Sequence, residues 1–408
     1  MTHKKSTPVA AAVVTGLGAV TAWGRDLDEF WRGLLAGEGA IGEPERFDPS
    51  DHRTDLASEV PASAIGGHGA RSTADDFALS AARSAWRDAR LHDAGVEPAR
   101  IGVFFGGSTA AMAEGEDFFR RLVGETAAWP RVSLVASHPL NGPGDAVARA
   151  LGARGPVESV SSACASGGLA IGSALDALRA GEVDVAVAGG SDSLCHLTYA
   201  GFNALRAVDA THCRPFRADR AGLNLGEGAG ALVLERPEHA ARRGARVWGR
   251  VMGSGASCDA HHMTAPHPQG EGAVRAIAAA LQDAGLGPEA ISFINAHGTG
   301  TPLNDRAESA AVRTVFGDRA ASLPLTSTKG LIGHFLGSSG AIEAVATLLC
   351  LHHGLVHPTP GDASADPELG VDLVVGEPRA IESRAAVSTS FAFGGSNAAV
   401  ILAAAEPA

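Results

Sequence analysis

Three features of the chain predict an α/β protein built from two similar halves, divided near residue 248. Helix-like and strand-like stretches alternate, several strands end in glycine pairs, and the pattern starts afresh near Arg246. With 408 residues the chain can bury a substantial core. It is 45% hydrophobic and 19% charged, without a block of like charge, which is a globular composition. A formal net charge of −12 argues against nucleic-acid binding, so an acidic partner would need a local basic patch.

Taken in order, Ala10–Thr15 reads as a strand buried on both faces, and Gly16-Leu17-Gly18 as a turn into an amphipathic helix over Leu27–Ala36. Asp48–Gly69, rich in Pro, Gly and charge, reads as an excursion. Small apolar residues at helical spacing predict a helix over Ala74–Arg90, and Ile101–Phe105 a strand ending at Gly106-Gly107. Phe118–Val123 and Ala146–Leu151 read as helices around a turn-rich loop, Pro130–Gly144. Val183–Ala188 is a buried strand ending at Gly189-Gly190, and the glycines of 226–230 open a strand over Ala231–Glu235. That glycine run lacks the Lys-Ser/Thr ending of a phosphate loop.

In the second half Arg246–Val251 is a strand, Gly253–Gly255 a turn, and Gly272–Ala284 an amphipathic helix. Ile291–Asn295 and Leu325–Ser327 are strands, Lys329–His334 a loop and Ser338–Leu351 a long helix. Ala386–Phe391 and Ala398–Leu402 are closing strands joined by Phe393–Asn397.

The stretch Val157–Ala174 carries the chemistry. A β-leaning segment gives way at Ser161-Ser162 to Cys164 among small residues, and Gly167–Ala180 then reads as an Ala-rich helix. A cysteine at a strand-to-helix turn meets free N–H groups and the positive end of the helix dipole, which favour a thiolate. The alternative is a packed turn with an inert thiol. Two histidine stretches, 296–301 around His297 and 327–334 ending at His334, also lie on glycine-rich loops leaving strands. Loops at the C-terminal ends of open α/β strands converge, so Cys164, His297 and His334 are candidates for a nucleophile with two hydrogen-bond donors.

Five cysteines without CxxC pairing indicate neither a disulfide framework nor a zinc ribbon, and fit a reducing cytoplasm. The neighbours Cys258, His261 and His262 have no fixed zinc spacing, so no metal site is expected; Asp259–Met263 reads as a loop near a ligand. The segment from Ser6 to Gly24 superficially resembles a signal peptide but is too weakly apolar to span a membrane.

Together, Ser162–Ser166, Asn295–Pro302, Ser327–His334 and Ser390–Asn397, with Leu225–Gly230, resemble the β-ketoacyl-[acyl-carrier-protein] synthases of the condensing-enzyme family nearly end to end. The resemblance implies a thiolase fold, duplicated halves in five αβαβα layers, and dimers. It implies that Cys164 takes an acyl chain from a carrier-protein pantetheine thioester, and that a malonyl extender then decarboxylates and attacks it. His297 and His334 would stabilise the enolate from Nε2, and the N–H groups of Cys164 and Phe393 would form an oxyanion hole. Lys329 would pair with Glu343 and order the histidine loop. Thr299 and Thr301 would bind the pantetheine amides, and Thr109 would line the acyl pocket. The loop from Phe391 to Gly395 would gate the extender, with Ala392 where many members have Gly.

Leu223-Asn224, where fatty-acid enzymes usually carry Phe-Val, leans the reading toward a polyketide or polyene pathway. Arg206 and Arg131 are candidates for docking acyl carrier protein. No cofactor is implied beyond the phosphopantetheine arm of that carrier, and the dimer partner would be a second copy or a chain-length factor. A non-catalytic chain-length factor would lack the nucleophile, and a degradative thiolase would need a second cysteine near the C-terminus, where Phe393-Gly394-Gly395 stands instead.

Overall fold

Ala12–Val20 is a strand buried along its whole length, and it runs straight through Gly16-Leu17-Gly18, the stretch expected to turn. A Cβ on Gly16 or Gly18 would fall 2.0 Å from the carbonyl oxygen of Ala85 or Ala81. These glycines therefore mark where the helix Thr73–Asp88 lies with its backbone against the strand. The same misreading applies to Gly189-Gly190, inside Val185–Asp192, and to Gly253–Gly255, inside Gly249–Cys258. The computed structural model describes residues 11–66, 70–124, 132–362 and 364–405, so Ala10, the end of the 48–69 excursion and Arg131 lie outside the described residues.

Among the described residues eleven strands form one sheet. Ten of them fall into two sets of five with one topology. The first set is Ala12–Val20, Ile101–Gly106, Val157–Val160, Val185–Asp192 and Gly228–Glu235. The second is Gly249–Cys258, Ile291–Asn295, Pro324–Thr326, Ala385–Phe391 and Ser396–Ala404. In each set the spatial order is third, second, fourth, fifth, first. In each, the second strand is parallel to the third and fourth, and the fifth is antiparallel to the fourth and first. The two first strands pair antiparallel, Ala12 with Val251 and Val14 with Gly249, and so join the sets. Asp372–Leu373 adds a short parallel strand at one end.

Helices complete five layers. Thr73–Asp88 and Gly142–Leu151 cover the outside of the first set, and Glu271–Ala284 and Pro302–Phe316 that of the second. Ser166–Arg179 and Ser339–His353 lie between the two sets and contact strands of both. The second of these is apolar almost all round and buried from Ser339 to Leu351, as a helix in a central layer must be. The largest apolar cluster sits in this middle layer, and one smaller cluster sits under each outer layer.

Several boundaries move outward from the sequence reading. Met112–Val123 begins before Phe118, Gly142–Leu151 before Ala146, and Lys329–Ile332 is one helical turn rather than open loop. Pro302–Phe316 was not anticipated, although Thr301 caps it, Pro302 opens it and Asp305 lies in its first turn, all usual start signals. No helix among the described residues is long and apolar enough to cross a membrane.

Candidate active site

Cys164 stands two residues before the helix Ser166–Arg179, on a tight turn. Ala163 takes φ 45°, a left-handed conformation that costs a non-glycine residue about 1–3 kcal/mol and persists only when its surroundings hold it. Ser166 supplies the hold: its hydroxyl accepts the N–H of Ser162 at 2.8 Å and donates to the carbonyl of Ala163 at 2.6 Å. Behind the turn the two central helices touch through glycine. A Cβ on Gly167 would lie 2.7 Å from the Ala341 nitrogen, and one on Gly340 would lie 2.6 Å from the Gly168 nitrogen. This contact brings the loop before the second central helix, which carries His334, beside the cysteine.

His334 is fixed at both backbone groups. Its N–H donates to the Asn224 carbonyl at 2.8 Å, and its carbonyl accepts from Gly226 at 2.9 Å. Its ring is fixed as well, because the N–H of Leu336 donates to Nδ1 at 3.2 Å and the Ser339 hydroxyl lies 2.8 Å from the same atom. Nδ1 is thus an acceptor, which leaves the proton on Nε2. His297 follows the strand Ile291–Asn295. Its backbone N–H reaches both Glu308 Oε1 and the Thr389 hydroxyl at 2.9 Å, while Gly298 donates to Glu308 Oε2 at 2.8 Å. Its Nδ1 has no hydrogen-bond partner among the described residues, so nothing fixes its tautomer.

The two imidazole rings lie 5.4 Å apart, edge to face. Cys164, His297 and His334 line a single cavity of about 280 Å³, together with Phe202, Leu223, Thr299, Thr301, Phe391 and Phe393. Arg206, Leu205 and Leu303, all exposed, also line the cavity. The hydroxyls of Thr299 and Thr301 are 2.9 Å apart.

Charge in the cavity departs from the sequence reading. Burial pushes the Cys164 thiol up to about 12, although the Lys329 charge and the N–H groups of Phe393 and Cys164 pull it down. A helix end was expected to make this sulfur ionise readily, and desolvation of the anion works against it. Burial, and after it the Lys329 ammonium, also hold His297 and His334 well below the usual histidine range. In the resting site the sulfur is a thiol and both imidazoles are neutral.

Lys329 is buried, does not line the cavity and forms an ion pair with Glu343. Burial pushes the Glu343 carboxyl up to about 7, against the pull of Lys329. Thr109 does not line the cavity. Its hydroxyl is turned to Asp192 Oδ1 at 3.1 Å and the Ser193 carbonyl at 3.3 Å, so it is committed to holding its own loop. Asp192, buried at a strand end, also accepts the N–H groups of Ser108, Thr109 and Ala110, an anchor the sequence reading missed.

The loop after Phe391 is tied down from several sides. Asn397 Nδ2 donates to Asp259 Oδ1 at 2.8 Å, Asp259 N–H to the Gly395 carbonyl at 2.8 Å, and Gly394 N–H to the Met263 carbonyl at 2.7 Å. The Phe393 ring stacks on Phe202 at 5.5 Å and 18°. Of the residues weighed for metal, Cys258 points its sulfur at the Gly394 carbonyl 3.8 Å away. His262 Nδ1 accepts the N–H groups of Thr264 and Ala265 at 3.1 Å. The expectation that 259–263 lies near a ligand fits Asp259, Thr264 and Ala265, which line the cavity.

A thiol and two neutral N–H-bearing rings around one apolar cavity make a site for acyl transfer in which negative charge on a thioester oxygen is met by hydrogen bonds. Comparison with known proteins narrows the class. Family models described as beta-ketoacyl synthase, N-terminal domain and C-terminal domain match residues 10–240 and 248–361. A 3-oxoacyl-[acyl-carrier-protein] synthase 2 of Synechocystis is 39% identical over 398 residues, covering 94% of this chain and 96% of the relative. One of Staphylococcus aureus is 36% identical, covering 95% and 97%. Among solved structures, the ishigamide ketosynthase/chain length factor superposes with a TM-score of 0.92 at 34% identity, covering 97% of this chain and 99% of that one. A type II PKS acyl-carrier protein in complex with its ketosynthase gives a TM-score of 0.92 at 30% identity, covering 98% and 100%. The chain belongs to the β-ketoacyl synthase family, acyltransferase-type condensing enzymes of fatty acid or polyketide biosynthesis, and has their thiolase fold.

Proposed function

We propose that this chain carries out decarboxylative Claisen condensation in a type II polyketide or polyene system, with Cys164 as nucleophile. The observation that carries this reading is the single cavity lined by Cys164, His297 and His334. In the first step the Cys164 sulfur attacks the acyl thioester of a carrier protein. The new S–C bond replaces the old one, and the pantetheine thiol leaves with the proton lost from Cys164. The N–H groups of Phe393 and Cys164 meet the oxygen of the tetrahedral intermediate. In the second step a malonyl thioester on another carrier protein loses CO2. His334 Nε2–H and the His297 ring stabilise the enolate oxygen, its carbon attacks the Cys164 thioester, and the sulfur leaves as a thiolate and takes a proton from water.

Neutral rings suit this second step. An imidazolium would hold a proton ready to quench the carbanion, whereas a neutral N–H donates a hydrogen bond to the enolate. Lys329 acts at one remove, by orienting its loop and by keeping both rings neutral through its charge. Thr299 and Thr301 stand in the cavity wall where the pantetheine amides pass, and the Phe391–Gly395 loop acts as a gate. Arg206, exposed in the cavity lining, is the cation offered to the acidic carrier.

The lean toward polyketides rests on Leu223, which gives the wall less bulk than the phenylalanine usual in fatty-acid enzymes, and on the solved ketosynthase neighbours. A second ketosynthase-like chain would pair at the open sheet edge formed by Val157–Val160. Intact-mass measurement after incubation with a panel of acyl-carrier thioesters tests the reading. A covalent acyl adduct is expected on the wild type and none on Cys164→Ala; an adduct that survives the substitution removes Cys164 from the mechanism.

A further inference from the structure

His357 is fully buried just after the short strand Leu355–Val356, on an element that contributes nothing to the cavity wall. Both ring nitrogens are engaged. Nδ1 lies 3.1 Å from the Pro358 carbonyl oxygen, which can only accept, and 3.2 Å from the Thr326 hydroxyl, whose proton goes to the His357 carbonyl at 2.8 Å, so Nδ1 carries the proton. Nε2 is then an acceptor facing the Thr328 hydroxyl at 3.2 Å, whose single proton is shared between Nε2 and Asn295 Oδ1, also 3.2 Å away. The Thr328 oxygen in turn accepts from Asn295 Nδ2 at 3.1 Å. The Asn295 amide also faces the Glu343 carbonyl and the Thr347 hydroxyl, each at 3.1 Å, and the Thr347 hydroxyl in turn donates to the Glu343 carbonyl at 2.7 Å. Every member of this chain of donors and acceptors is buried.

Thr328 immediately precedes Lys329, and Asn295 stands two residues before His297. We infer that His357 is a positioning residue for the decarboxylation half of the reaction. Its neutral Nδ1–H tautomer anchors a hydrogen-bond chain through Thr328 and Asn295 and so locks together the strand ends that carry Lys329 and His297. Burial pushes the His357 ring down to about 4, against the pull of the Pro358 carbonyl, so the neutral form persists at the pH of any assay near neutrality. Among the described residues the hydrogen-bond chain from His357 does not reach the Cys164 turn, and it bears on the sulfur only through the Lys329 charge, so the larger effect falls on the second step.

The inference rests on the ketosynthase reading, and wild-type acylation and condensation measured side by side keep a failure of that reading separate. His357→Leu, His357→Gln, Thr328→Val and the double variant His357→Leu/Thr328→Val are assayed for acylation of Cys164 by intact mass and for condensation at saturating malonyl carrier protein. Leu at 357 and Val at 328 are each expected to slow condensation about tenfold or more while acylation stays within about twofold. The double variant is expected to be no slower than the worse single one, because both cut the same chain. Gln, which keeps an acceptor near the Nε2 position, is expected to recover most of the rate whatever its melting temperature. Equal slowing of both steps, additive losses in the double variant, a Gln variant as slow as Leu, or wild-type condensation in His357→Leu overturns the inference. Should His357→Leu fail to fold, Thr328→Val and His357→Gln decide it by the same criteria.

Discussion

Cys164 offers a direct measurement of how far burial dominates the site. With the thiol pushed up to about 12, roughly one sulfur in 10⁴ is ionised at pH 8, and forming the thiolate there takes about 5 kcal/mol. Alkylation by iodoacetamide proceeds through the thiolate, so the rate at Cys164 should rise about tenfold for each pH unit between 7 and 9 without levelling off. The assay uses Cys258→Ser, which removes the exposed cysteine, and peptide mass mapping to separate Cys164 from the buried Cys195, Cys213 and Cys350. Because the Lys329 charge pulls the thiol down, Lys329→Met should slow the reaction further. The linkage has the matching sign. A thiol whose folded value is raised stays protonated while the unfolded chain ionises first, so its contribution to stability is complete below the ordinary thiol range near 9 and is lost as pH rises toward 12. A plateau in the alkylation rate below pH 9, or faster reaction in Lys329→Met, would show that the helix end outweighs desolvation and refute the reasoning.

Lys329→Met strands Glu343 at 2% side-chain exposure and should cost about 3–5 kcal/mol in urea unfolding. Burial already pushes the Glu343 carboxyl up, and without Lys329 the folded state binds a proton the unfolded state does not, so the deficit should be larger at pH 8 than at pH 5.5. Replacing both partners, as Lys329→Met/Glu343→Leu, should recover much of the loss. Gly16→Ala would set a methyl 2.0 Å from the Ala85 carbonyl oxygen and should lower stability by about 1–3 kcal/mol, read as a fall in melting temperature; an unchanged melting temperature would mean the strand and helix can separate freely. Arg206→Glu should raise KM for acyl-carrier substrates about tenfold at low salt and less at high salt. Turnover of a small acyl thioester should stay unchanged, and an equal loss on both substrates would place Arg206 in the chemistry rather than in docking.

Residue types and spacing located the cavity well, because a cysteine before a small-residue helix and two histidines after strands are local patterns. Cys164, His297, His334, Thr299, Thr301 and Phe391 all reach one cavity. Glycine misled at Gly16, Gly189 and Gly253. The residue that permits a turn also permits a backbone to approach closely, and only the partner element, tens of residues away in sequence, distinguishes the two. The Thr109 hydroxyl shows the same limit: it has a buried carboxylate to satisfy, and Asp192 lies 83 residues away. For the ionisation of Cys164 the local signal, a helix end, is visible in sequence, while the opposing desolvation is the sum of everything packed around the sulfur. Glu308 and His357 left no local trace at all, since each acts through atoms brought together by the sheet.

The two five-strand sets follow one order, and the segment after the third strand is the one that leads into the central helix in both. In the first set that segment bears Cys164, and in the second it bears Lys329 and His334. A true two-fold assembly of identical units would set like against like at its axis, sulfur opposite sulfur or ring opposite ring. Covalent duplication within one polypeptide frees the two equivalent corners to specialise, so that an electron-rich sulfur and the imidazole that tempers an enolate share a symmetric frame while playing unlike parts.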